Sequence, residues 1–186
     1  MRTVRRVTAT TSALALVSAG FVLTTGTSAQ ATKTVKSTNI ALTCSQAYLP
    51  LPDPGCQPGA LNSDVTQDTI QDTICVPGYS SSIRPPTSYT NALKVKQIAE
   101  YGYDDTDTAD YEEDHLINLS LGGNPRSPLN LWPEPRYAVG GKTAADKDTV
   151  EFKLYRAVCD GTIQLAPAQK AIATDWTTAL AAVGIG

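Results

Sequence analysis

The side chain with the widest chemical reach in this chain is His115, its only histidine, set in the run Tyr111-Glu112-Glu113-Asp114-His115. An imidazole titrates near neutrality and is a natural general base. Asp114 before it is a hard oxygen donor of the kind that magnesium, calcium or manganese accepts. In extended chain successive side chains point to opposite sides, so Asp114 can face a cation while His115 faces a substrate. A lone histidine beside acids also fits a hydrogen-bonded structural role, and that alternative stands beside the catalytic one.

The acids continue upstream as Asp104, Asp105, Asp107 and Asp110. Asp105, Asp107 and Asp110 have the close spacing of a calcium loop. The loop lacks the EF-hand glycine and the glutamate twelve positions on, so a solvated loop is the better reading. Serine-hydrolase, zincin and nucleotide-hydrolase motifs (G-x-S-x-G, H-E-x-x-H, P-loop) are absent.

The elements that must position these groups read as α+β with little sheet. Val65, Ile70 and Ile74 recur on one face of a helix expected from Asn62, which Val76-Pro77-Gly78 stops. Residues 79–87 read as extended, because Arg84 precedes a proline. A helix over Ser88–Tyr101 turns Ala92, Val95, Ile98 and Ala99 inward and stops at Gly102. Leu116–Leu121 is apolar enough for a strand closed by Gly122-Gly123, and Leu129–Trp132 forms a short element ended by Pro133 and Pro135. Thr143–Val158 is a helix with Val150, Leu154 and Val158 stacked and Gly161 beyond its end. A last helix from Pro167 stacks Ile172, Trp176, Leu180 and Val183. Trp132 and Trp176 read as core anchors.

The N-terminus reads as an export signal. Arg2, Arg5 and Arg6 precede an apolar stretch from Ala13 to Leu23, and Ala29-Gln30-Ala31 fits the small-residue cleavage pattern. That stretch is shorter than the roughly 20 residues that span a bilayer, and no later segment is apolar enough to do so. The expected organisation is a signal peptide over 1–31, a flexible leader over 32–53 and one domain over 54–183, secreted and away from any membrane after processing. Cleavage removes those three of the 15 basic residues and none of the 18 acidic ones, moving the net charge from −3 to −6. So acidic a chain is not a general polyanion binder; any nucleic-acid activity needs a local basic patch or a bound cation. The four cysteines, Cys44, Cys56, Cys75 and Cys159, favour two disulfides in an exported chain. Cys44–Cys56 with Cys75–Cys159 is the preferred pairing of the three available, although spacing alone does not fix it.

The stretch EDHL-x4-LGG-x6-NLWPEP, followed by KD-x2-E, resembles small exported bacterial proteins of the HNH branch of the ββα-metal nucleases, over Pro54-Gly55-Cys56 to Trp176. The resemblance implies a short β-hairpin plus helix with further helices on either side. It also implies a divalent cation, Mg2+ or Mn2+, and DNA or RNA as substrate. His115 would be the general base, Asp114 a metal ligand, and Asn130 the residue that fixes the histidine and its loop. The family usually places a His or Asn on the following helix, and none occurs between Gly140 and Cys159. Asp148, then Asp146, and Glu151 are the carboxylates available there, though the first turns of a helix favour acids and Lys147–Glu151 also reads as a simple i, i+4 pair. Arg126, Arg136, Lys142 and Lys147 flank the motif and can hold phosphates; ordinary solvated charge is the competing reading of each. A non-catalytic exported module, an inactive ββα fold or a calcium-stabilised binding domain, is the alternative function.

Overall fold

A computed structural model describes residues 44–186. The signal peptide expected at 1–31, and residues 32–43 of the expected leader, lie outside the described residues. Residues 44–53, also expected in the leader, are folded. The Cys44 amide donates to Glu100 O, the Gln46 amide group donates to Tyr101 O and Gly102 O, and the Asp53 amide donates to the Tyr101 hydroxyl.

The chain is mixed α and β. Five helices occur among the described residues: α1 (Tyr79–Ile83), α2 (Thr87–Tyr101), α3 (Ala144–Cys159), α4 (Leu165–Asp175) and α5 (Ala179–Ala182). Strands β1 (Tyr111–His115) and β2 (Leu131–Pro135) pair antiparallel, with Asp114 opposite Trp132 and His115 opposite Leu131. The disulfides are Cys44–Cys56 and Cys75–Cys159, the preferred pairing.

Several local expectations fail for identifiable reasons. Residues 62–74 form turns and a short 3-10 turn (Ile70–Asp72) instead of an α-helix, although Val65, Ile70 and Ile74 are buried as expected. Here the Thr69 hydroxyl bonds to Asp64 O and accepts from the Thr66 amide, so side chains compete for the backbone a helix would use. Tyr79–Ile83 is helical, and the chain becomes extended only at Arg84, before Pro85. Helix α2 matches its expected span and ends on left-handed Gly102, but Ala92 and Val95 are exposed; Gln97, Ile98 and Tyr101 are its buried face. The final helix breaks after Asp175, whose carboxylate accepts from both the amide and the hydroxyl of Thr177.

The strands also lie elsewhere than the apolar pattern suggested. Leu116–Leu121 is not a strand: it ends in a 3-10 turn (Leu119–Leu121), and the acidic run itself forms β1. Pro133 and Pro135, expected to end an element, lie inside β2. Being two apart, they lack amides on one side only, the outward side of a two-stranded ribbon. The outward carbonyls are taken by side chains: Lys94 Nζ donates to Tyr111 O, Gln97 Nε2 to Leu131 O and the Tyr103 hydroxyl to Pro133 O. Non-local capping therefore makes a strand pair of sequence with weak strand character.

Two cores flank this hairpin. One is aromatic, with Tyr101, Tyr103, Tyr111, Leu116 and Trp132; the other is mainly aliphatic, with Ile117, Leu121, Leu154, Val158, Ile172 and Trp176. Leu116 enters the first and Ile117 the second, so the chain just past His115 is pinned from both sides. Burying one such side chain is worth about 1.5–3 kcal/mol.

Candidate functional site

His115 closes β1, and the following loop is built around it. Asn130, fully buried, accepts from the Ile117 amide at 2.9 Å and donates to Ile117 O at 3.0 Å and Asn124 O at 3.1 Å. The Leu116 amide donates to Asn130 O at 2.7 Å. Gly123 makes this closeness possible: a Cβ there would sit 1.6 Å from Ile117 O. Gly122 beside it adopts φ +76°, a left-handed conformation suited to glycine.

The ring of His115 is held by the same loop. Its Nε2 lies 3.1 Å from Pro125 O. A carbonyl only accepts, so Nε2 carries the proton and Nδ1 keeps its lone pair. Burial is the main force lowering the His115 pKa, opposed by the Asp114 charge and the Pro125 bond and aided by the charges of Arg84 and Lys147. The ring is therefore neutral at neutral pH, and it is 3% exposed.

Asp114 turns to the other side, as alternation requires, and meets a cation from within the chain. Lys147 Nζ donates to Asp114 Oδ2 at 2.5 Å, to His115 O at 3.0 Å and to Glu151 Oε1. Lys147 was expected as a surface phosphate contact; it is 1% exposed and buried in this clamp. The i, i+4 alternative for Lys147 and Glu151 describes the pair that forms. Burial alone would deprotonate this lysine, but Asp114, Glu151 and Glu134 outweigh that and raise its pKa. Asp114 feels the converse: burial would raise it, and Lys147 holds it low. Glu151 is pushed up to about 8, chiefly by burial, and Glu134, beside Asp114, rises well above the usual carboxylate range for the same reason.

The remaining predicted residues disperse. Asp146 accepts from the Thr143 amide and hydroxyl, both at 2.8 Å, in a capping box that starts α3. Its role is to cap the helix, which explains its lowered pKa. Asp148 is exposed on α3, near enough to Asp114 that the two charges add to partial burial in raising its pKa. Arg136 pairs with Glu112 at 3.0 Å. Lys142 lies in the turn before α3, its charge felt by Asp146. Arg126 lies over the Tyr89 ring at 5.5 Å, and the Tyr89 hydroxyl donates to Arg126 O.

The sequence reading missed two residues here, Glu134 and Arg84. Reading NLWPEP as a strand paired with 111–115 would have placed Glu134 opposite Glu112. Arg84 comes from the junction of α1 and α2, and no local signal points to it. No group of three or more His, Cys, Asp or Glu side chains among the described residues is arranged to hold a metal ion. No family model, curated protein or solved structure matches the chain.

Proposed function

We propose that the chain is an exported hydrolase of phosphodiester bonds in DNA or RNA, built around an HNH-like ββα unit of β1, β2 and α3, with His115 as general base. The observation that carries this reading is the state of His115: a neutral ring with Nε2 committed to Pro125 O and Nδ1 left as acceptor. In this reading Nδ1 takes the proton of the attacking water, and a positioned base of this kind contributes about 10²–10⁴-fold. Asn130 is a positioning residue that fixes the loop carrying Pro125. Guanidinium groups suit phosphate geometry, and Arg84, whose charge is felt at His115, supplies one. The two disulfides fit a chain that folds in an oxidising compartment, and no helix among the described residues is long and apolar enough to cross a membrane.

The Mg2+ or Mn2+ implied by the resemblance does not fit the side chains as they stand. The Asp114 and Glu151 carboxylates that would grip it are bonded to the Lys147 ammonium, and Asp146 caps α3.

The second reading, a non-catalytic exported binding module, is favoured by one specific observation: the imidazole is only 3% exposed. Cleavage of plasmid DNA and of RNA, with divalent ions and with chelator, separates the two. The hydrolase reading predicts cleavage by the parent chain and a loss of about 10²-fold or more in His115→Ala. Equal residual cleavage by both chains leaves the binding module.

A further inference from the structure

A lysine ammonium has three donors, and each of the three on Lys147 has an oxygen partner: Asp114 Oδ2, Glu151 Oε1 and His115 O. Two carboxylates from different elements and a backbone carbonyl form an oxygen-only cage, the donor type that hard cations take. A further carboxyl, Glu134, lies beside Asp114 at 3% exposure. We propose that the Lys147 ammonium is the resident cation of this carboxylate cage, so that the site keeps its geometry without a divalent metal. The inference deepens the hydrolase reading and rests on it only for its catalytic meaning.

A second cation cannot share the cage with an ammonium that already uses the facing oxygens of Asp114 and Glu151, because like charges at that separation repel strongly in a buried site. Entry of Mg2+ or Mn2+ would require Lys147 to leave, and its side chain is 1% exposed with its ammonium bonded to Asp114, Glu151 and His115 O. Lys147 also does the structural work of a bound ion. It ties the carboxylate of Asp114 and the carbonyl of His115 to α3, and so fixes the end of β1 relative to that helix. It is a positioning residue for His115. As they stand the three acids Asp114, Glu134 and Glu151 do not form a metal-holding group, so removing the ammonium would leave the Asp114 and Glu151 carboxylates facing a vacated space into which they must draw together to take a divalent ion.

The test is Mn2+ titration of the purified chain by calorimetry and by thermal melting, for the parent, Lys147→Ala and Lys147→Asn. The parent is expected to bind no Mn2+ saturably up to about 1 mM, the range of weak binding, and to melt at the same temperature with chelator. Either lysine variant is expected to take up one Mn2+ and to gain roughly 5 °C or more in Tm at saturation. Two results overturn the proposal: stoichiometric Mn2+ binding by the parent that Asp114→Asn or Glu151→Gln abolishes, or a folded lysine variant that takes up no Mn2+. If neither variant folds, the parent titration decides alone. None of these readouts needs cleavage, so they stand whether or not the chain proves to be a hydrolase.

Discussion

Asn130 and Lys147 grip the same short length of chain, one with a neutral amide and the other with an ammonium. Asn130 spends its bonds on the backbone of Ile117 and Asn124. Lys147 spends its bonds on two carboxylates and His115 O. Both are buried, yet the first holds a loop whose bonds no proton can disturb, whereas the second holds a charge balance that pH can undo. Glu113, one residue before Asp114, has neither kind of brace: both of its carboxylate oxygens are buried without a hydrogen-bond partner. A neutral brace fixes a backbone, and a charged one also fixes which neighbours may be ionised.

The largest effect is expected from Asp114→Asn, which leaves Lys147 buried beside a neutral amide. It should cost about 3–5 kcal/mol in urea unfolding near neutral pH, the cost of stranding one member of a buried ion pair. Because Lys147 depresses the folded pKa of Asp114 below its ordinary 3.8, the contribution is full above that value and fades as pH falls through the folded one. The gap between the two proteins should therefore narrow in acid. Asn130→Ala should cost less, about 2–3 kcal/mol, from backbone groups left without partners, and its cost should not vary with pH over that range.

Glu113 sharpens the contrast with the smallest effect. Burial, the largest influence on it, pushes its carboxyl from 4.5 to about 8, with Lys94 opposing and Asp114 adding to the rise. Below 4.5 both folded and unfolded chains hold this proton. Between 4.5 and about 8 only the folded chain does, so its contribution to stability declines as pH rises through that window and is flat above it. Glu113→Gln should remove this slope and stabilise the protein at pH 8 by on the order of 2 kcal/mol, read from unfolding midpoints at several pH values.

Much of the scaffold was legible in the residues. Cysteine parity and context pointed to the two bridges, Gly102 and Gly161 marked the ends of α2 and α3, and Trp132 and Trp176 are both fully buried. The hairpin was not legible, because its stability is not local. An acidic strand and a proline-bearing one pair only because Lys94, Gln97 and Tyr103 satisfy carbonyls that a sequence pattern does not represent. At the site, His115 and Asn130 hold one loop while Asp114 turns to Lys147 on the other side, and local competition separates the acids of α3. Asp146 is claimed by the Thr143 cap, while Glu151 follows Lys147 into the clamp. That Lys147 points inward depends on Asp114 waiting across the gap, and no helical periodicity records that.

Because the chain has a single histidine, 15N NMR reads the protonation state of the His115 ring without assignment. The expected result is a neutral Nε2–H tautomer at neutral pH, with a titration midpoint below the ordinary 6.5 and unchanged by Mg2+ or by chelator. An Nδ1–H tautomer, or a midpoint at or above 6.5, would contradict it.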